Sequence, residues 1–178
     1  MLPNLGYTFY DAIGLEAYDN VEDSYVIDHI KWIQYEYEKY FSFWITFNAH
    51  QPYGKDTLNE DMLKYFDLVS ERFPEMPEEE KVYFAKNMDL DRGLKELLID
   101  YKNSEVLDDM VIIIYGDHFP KGLFADREPY RNQCENVGMK FDHCFDTPLI
   151  IWNNQIEPMI IEKASSPLDI APTIYDLF

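Results

Sequence analysis

The chain has 178 residues, a length that fits one domain. Hydrophobic residues make up 47% of it and aromatic residues 16%, which is enough for a core and excludes a disordered chain. Its 34 acidic and 15 basic residues give a formal net charge of -19, which repels nucleic acid and an anionic membrane surface. The sequence shows neither a signal stretch nor a run of about 18 apolar residues, so we expect the chain by itself to be soluble.

The first half of the chain alternates predicted helices with one apolar run. Apolar residues at three- and four-residue spacings predict a helix over residues 23–37. Residues 41–47 are almost continuously apolar, which predicts a strand covered on both faces. Residues 48–77 carry prolines and many charges, and we expect a surface excursion with room for one helix. A strong helical pattern with an acidic start follows over residues 78–102.

Two further buried strands are predicted in the second half, over residues 110–115 and 148–152. Residues 159–161 form a shorter apolar run that suits an edge strand. The last helix begins at Ser166, where a capping serine precedes a proline and an acidic residue. Pro172 is expected to distort its first turns.

Strands that alternate with helices predict an α/β fold with a mostly parallel sheet and helices on both faces. We expect residues 1–178 to form a single domain. Ligands of such sheets gather at the carboxyl ends of the strands. His50 follows the first predicted strand, and Asp117 and His118 follow the second. If these strands run parallel, the three side chains open onto one edge of the sheet.

An aspartate beside a histidine supplies one carboxylate oxygen and one imidazole nitrogen, which is half of a ligand set for a divalent cation. A tight site needs further ligands from elsewhere. By themselves, Asp117 and His118 also fit an ordinary polar turn, and His50 fits a hydrogen-bonded loop histidine. A cation would matter here, because a phosphorylated substrate binds so acidic a chain only where the potential is locally reversed.

Several segments resemble the lipoteichoic acid synthase and phosphoglycerol transferase branch of the sulfatases, in the alkaline phosphatase superfamily. Residues 111–118 are similar to that branch's "VIIxYGDH" signature, and residues 44–53 contain its "TxxxHxPY" pattern. Residues 147–154 resemble "TPxIIWSN", and residues 166–174 resemble "SxxDIAPTLL". Weaker similarities cover residues 3–7 and 91–109. These motifs occur in family order over nearly the whole chain, which therefore resembles the carboxy-terminal portion of a sulfatase-like catalytic domain.

The resemblance implies a role for each of the three strand-end residues. Asp117 and His118 would bind the catalytic cation, most commonly manganese, with zinc, magnesium and calcium as alternatives. His50 would be catalytic and substrate-binding, in contact with the phosphoglycerol group or the leaving oxygen. The family's threonine nucleophile and a glutamate ligand lie upstream of these motifs and have no counterpart in this chain. We therefore expect weak metal affinity and negligible turnover from the chain alone.

Other polar residues carry weaker expectations. Arg127 and Arg131 follow the metal pair and are candidates for binding a substrate phosphate, although basic loop residues are usually solvated. Cys134 and Cys144 either pair in an oxidising compartment or remain ordinary thiols.

The function that the resemblance implies is metal-dependent transfer or hydrolysis of phosphoglycerol groups in the synthesis of cell-envelope glycopolymers. The partners would be a phosphoglycerol-bearing lipid or glycan and no nucleic acid. In the family the catalytic domain lies outside the cell and reaches the membrane only through an upstream segment. Two alternatives stay open, a non-catalytic sulfatase-like binding domain and a sulfate-ester hydrolase.

Overall fold

A computed structural model describes residues 22–31, 35, 39–120, 122–123, 146–163 and 166–177. The chain divides into two compact units, Met1–Ser104 with Gly122–Ala125 and Glu105–Lys121 with Asp126–Phe178. The single domain expected over residues 1–178 stays a prediction. Within the described residues, no helix combines the length and the apolar character that a membrane crossing requires.

Three helices shape the first unit: α1 (Asp23–Ile30), α2 (Glu60–Arg72) and α3 (Glu78–Asn103). The side chain of Asn59 caps α2 by accepting hydrogen bonds from the amides of Asp61 and Met62, at 3.1 and 2.9 Å. Both α1 and α2 pack against α3. The predicted α3 is confirmed, whereas α1 ends at Ile30, well before the predicted residue 37.

The core of the first unit lies between α2, α3 and the loop after His50. Its buried side chains are Tyr53, Leu58, Met62, Phe66, Val82 and Ala85. The one helix expected within residues 48–77 is therefore present, but the description of this region as a surface excursion is wrong. Tyr53 and Leu58 anchor the loop in the core, so the segment that carries His50 has a fixed base.

The helices α1 and α3 approach each other closely at Gly93. A Cβ atom built on Gly93 would lie 2.7 Å from the Cα of Ser24 and 3.0 Å from the Cδ1 of Ile27. Only a residue without a side chain allows this contact. Ser24 in turn donates to the buried carboxylate of Asp89 from its amide (3.1 Å) and its hydroxyl (2.6 Å). The two helices are thus joined by close packing and by buried hydrogen bonds.

The second unit contains β1 (Ile112–Tyr115), β2 (Leu149–Trp152) and α4 (Pro167–Leu177). The strands pair antiparallel, with Ile112 opposite Trp152 and Tyr115 opposite Leu149. The start predicted for α4 is confirmed, because the helix begins at Pro167, directly after Ser166. The amide and hydroxyl of Ser166 donate to Asp169 at 2.7 and 3.1 Å, so the acidic residue supports the first turn. These bonds lower the pKa of the Asp169 carboxyl. Pro172 lies inside the helix as expected.

Two predicted strands are wrong. Residues 41–47 form no strand, and their apolar side chains are largely exposed, with Ile45 78% accessible. Residues 159–161 are likewise irregular and exposed. A strand needs a neighbour for its backbone hydrogen bonds, and the described residues supply none to either run. The one described pairing is antiparallel, so the parallel arrangement expected for the sheet is not seen in these ranges.

Candidate functional site

The turn that follows β1 carries the predicted metal pair and is fixed by the segment before β2. The amide of Gly116 donates to the carbonyl of Pro148 (3.3 Å), and the hydroxyl of Thr147 donates to the carbonyl of Gly116 (2.9 Å). A Cβ on Gly116 would lie 2.9 Å from the Cβ of Thr147, so a larger residue would push the strands apart at this point. Gly116 and Thr147 therefore set the direction in which the chain enters Asp117 and His118.

Asp117 and His118 face each other at the surface. The Oδ2 atom of Asp117 lies 3.7 Å from the Nε2 atom of His118, and the two side chains are 83% and 46% exposed. Asp117 Oδ1 accepts a hydrogen bond from the amide of His118 (2.8 Å). His118 Nδ1 lies 2.7 Å from the carbonyl of Phe119. Because a carbonyl only accepts, this contact requires a proton on Nδ1, and in the neutral ring the lone pair is then on Nε2.

This pair fits half of a divalent-cation site. Two ligand atoms bound to one ion at a tetrahedral angle lie about 3.4 Å apart, close to the 3.7 Å between Asp117 Oδ2 and His118 Nε2. A backbone carbonyl that orients the other ring nitrogen is the usual support of a metal-binding histidine. Among the described residues, no group of three or more histidine, cysteine, aspartate and glutamate side chains is arranged to hold a metal. A complete site therefore needs ligands beyond this pair.

His50 lies in a tight turn of the first unit. Its amide donates to the carbonyl of Phe47 (3.0 Å), and its ring stacks on the Phe47 ring with centroids 5.4 Å apart and planes within 7°. Its Nδ1 lies 2.9 Å from the carbonyl of Gln51, which again places the proton on Nδ1. The Nε2 atom is thus left as a hydrogen-bond acceptor on an exposed ring.

An open cavity of about 330 Å³ adjoins His50. The residues that line it are His50, Gln51, Pro52, Tyr53, Glu79 and Gly122. The side chains of Gln51 and Glu79 present oxygen atoms, which accept hydrogen bonds from hydroxyl groups. Glu79 also makes the cavity unfavourable for an anion that no cation neutralises.

Two buried charged side chains bind the backbone of the His50 turn, which comprises residues 47–52. Asp23, at the start of α1, accepts hydrogen bonds from the amides of Phe47 (2.9 Å) and Asn48 (3.2 Å). Lys86, on α3, donates from Nζ to the carbonyls of His50 (3.3 Å) and Pro52 (3.0 Å). Neither residue was predicted from the sequence, because a lone charged residue in a helical pattern is usually solvated.

Burial perturbs both of these groups. Desolvation raises the pKa of the Asp23 carboxyl, and the hydrogen bonds from the Phe47 and Asn48 amides oppose that rise. Desolvation lowers the pKa of the Lys86 ammonium, and the nearby negative charge of Asp23 opposes the fall. Each charge thus offsets part of the cost of burying the other.

The predicted site residues fall in different parts of the molecule. The structure brings Asp117 and His118 together in the second unit, as expected from their position after a strand. His50 belongs to the first unit and follows residues 41–47, which form no strand. The expected reason for its meeting the metal pair, two parallel strand ends at one sheet edge, is therefore wrong, and the meeting itself stays a prediction. Arg127, Arg131 and the two cysteines lie outside the described residues.

The described residues combine helices with paired strands, and a carboxylate and an imidazole follow directly after β1. The sulfatase family profile matches residues 4–178, and the chain therefore belongs to the sulfatase family. Comparison with curated proteins and with solved structures gives no significant match. Sulfatases are α/β enzymes of the alkaline phosphatase superfamily that act on sulfate or phosphate esters, which confirms the expected superfamily and the α/β class.

Proposed function

We propose that this chain takes part in the metal-dependent transfer or hydrolysis of phosphoglycerol groups, as in the lipoteichoic acid synthase branch of the sulfatases. The substrate would be a phosphoglycerol-bearing lipid or glycan of the cell envelope, and the reaction would take place on the extracytoplasmic side of the membrane. Support comes from family membership over residues 4–178 together with the order of the branch-specific motifs.

The observation that carries the proposal is the geometry of Asp117 and His118. Asp117 Oδ2 and His118 Nε2 would hold the cation, most commonly manganese, while the Phe119 carbonyl keeps the His118 proton on Nδ1. When bound, such a cation spreads the negative charge that develops on the phosphoryl oxygens. Thr147 and Gly116 would act indirectly by fixing the turn.

His50 would contact the phosphoglycerol group or the leaving oxygen. Because the Gln51 carbonyl holds the proton of His50 on Nδ1, the Nε2 atom can accept a proton or a hydrogen bond from the substrate. Gln51 and Glu79 line the adjoining cavity and would accept hydrogen bonds from glycerol hydroxyls. Arg127 and Arg131 are proposed to contact the phosphate.

Metal titration of the purified chain tests this assignment. Isothermal titration calorimetry with Mn²⁺ is expected to show at least about tenfold weaker binding for Asp117→Ala and His118→Ala than for the wild type. The matched control is Asp109→Ala, which removes one exposed carboxylate from the same unit. A control is essential because a chain with a net charge of -19 attracts cations without a specific site. Equal losses for Asp117→Ala and Asp109→Ala would refute the metal role.

Substrate class is tested with the Mn²⁺-loaded wild type. Binding of glycerol 3-phosphate in preference to inorganic sulfate is the expected result, whereas the reverse order would favour a sulfate-ester hydrolase. Absence of binding to both would favour a non-catalytic domain. Steady release of glycerol phosphate from a chromogenic diester would show that the chain carries a nucleophile of its own and would overturn the expected inactivity.

A further inference from the structure

We infer that Lys86 is a positioning residue for His50. Asp23 supports the same turn by binding the backbone amides at its start. This role rests on the proposed function of His50, because a positioning residue matters only if the histidine meets a substrate. Lys86 lies on α3 and Asp23 on α1, and these two helices are packed together at Gly93. Both residues thus belong to helices that are in close contact with each other.

Lys86 acts on the backbone on both sides of Gln51. Its ammonium group binds the carbonyls of His50 and Pro52, so it fixes the two residues that flank Gln51. The Gln51 carbonyl is the group that lies 2.9 Å from His50 Nδ1. A change in the direction of this carbonyl would remove the hydrogen-bond partner of Nδ1, so that the ring proton could move to Nε2 and the accepting lone pair to Nδ1. Lys86 therefore controls the His50 tautomer without touching the ring.

Asp23 fixes the start of the same turn. Its carboxylate binds the amides of Phe47 and Asn48, which precede His50. The Phe47 ring stacks on the His50 ring, so the position of the Phe47 backbone decides where that stacking partner lies. With Asp23 before His50 and Lys86 after it, the turn is held by opposite charges at its two ends.

Packing alone does not explain why the charged side chains of Lys86 and Asp23 are buried. Lys86 is only 3% exposed and Asp23 only 5% exposed, whereas an apolar residue would fill either position without a desolvation cost. Lysine differs from an apolar residue in that one ammonium group can bind two carbonyls at once. Its presence is explained if the orientation of those two carbonyls is what the site needs.

Nuclear magnetic resonance of the histidine rings in the full chain tests the inference. Glycerol 3-phosphate is titrated in the presence of Mg²⁺, a diamagnetic ion that spares the signals, and the His50 ring signal is followed with His29 as an internal reference. Lys86→Met is expected to shift the His50 signal before any ligand is added and to weaken the apparent affinity about tenfold. Lys86→Arg, which keeps the charge and the donors, is expected to restore most of the affinity.

A matched control is Lys95→Met, which removes an exposed lysine from the same helix. If Lys86→Met does not fold, Lys86→Gln provides the comparison, since it keeps one donor and loses the charge. A wild-type His50 signal and wild-type affinity in the folded Lys86 variant would overturn the positioning role while the function of His50 stood. Failure of the wild-type His50 signal to respond to the ligand would overturn that function, and the positioning role with it.

Discussion

Replacing Gly93 with alanine sets helix propensity against packing. In the interior of a helix, alanine is about 1 kcal/mol more favourable than glycine, so propensity alone predicts a more stable chain. The new Cβ would, however, lie 2.7 Å from the Cα of Ser24 and 3.0 Å from the Cδ1 of Ile27. The first of these contacts is with the backbone of α1, which cannot rotate away as a side chain can. Packing should therefore decide the sign of the change.

The magnitude follows from the displacement that this contact requires. Carbon atoms in contact lie about 3.5–4.0 Å apart, so α1 must move by about 1 Å. Overpacking of this kind costs about 1–3 kcal/mol. Overpacking less the gain in propensity leaves a cost of about 0–2 kcal/mol. Movement of Ser24 also weakens its two hydrogen bonds to the buried Asp89 carboxylate, each of which contributes about 1.5–3 kcal/mol as a bond to a charged group. Because these bonds are lengthened and not lost, the free energy of unfolding should fall by about 1–4 kcal/mol in total.

Urea unfolding of the full chain, followed by the circular dichroism of its helices, measures this change. The control is Lys95→Ala, an exposed substitution on the same helix that should alter stability by less than about 0.5 kcal/mol. A Gly93→Ala chain as stable as the wild type, or more stable, would refute the reasoning. It would mean that α1 moves away from α3 without cost.

Two further predictions concern the first unit. Met62→Ala should lower the free energy of unfolding by about 2–5 kcal/mol, because Met62 is fully buried in the core, whereas Leu68→Ala on the exposed side of α2 should cost far less in the same urea assay. Asp23→Asn removes a carboxyl whose pKa is raised in the folded chain, so the folded state holds that proton more tightly than the unfolded state. The stability of the wild type relative to Asp23→Asn should therefore fall as pH rises from below 3.8 through the raised pKa, and a difference that is constant or rises with pH would contradict this.

Local signals predicted two of the helices, α3 and α4, closely. The long apolar pattern and acidic start located α3, and the sequence around Ser166 located the start of α4. These features depend on residues a few positions apart, which a sequence shows directly. The runs that became β1 and β2 were also recognised, but an apolar run carries no information on the direction of its partner strand, and their antiparallel pairing was missed.

The predictions that failed concern segments whose structure depends on contacts with distant parts of the chain. Residues 41–47 have the composition of a buried strand, yet a strand forms only beside another strand. The opposite error occurred in α2, where a charged and proline-bearing region suggested a surface location. There Met62, Phe66 and Val69 recur at helical spacing and face the core. Charge in the flanking sequence obscured a short amphipathic helix.

The same distinction between local patterns and distant contacts applies to the residues of the candidate site. Asp117 and His118 were chosen because a strand end followed by ligand-type side chains is a local pattern, and their metal role stays a prediction. Thr147, Asp23 and Lys86 were missed because each contributes through the backbone of a residue at least 24 positions away in the chain. Contacts of this kind leave no periodic trace in a sequence.

The manner in which the His50 turn is held has a consequence for how the protein can change over evolution. Asp23 and Lys86 bind main-chain amides and carbonyls, which stay in place when side chains are exchanged. Substitutions at Ala49 and Gln51 can therefore accumulate while the turn keeps its shape. Under the role proposed for His50, the side chains beside it can therefore change without any change in the backbone that holds the turn.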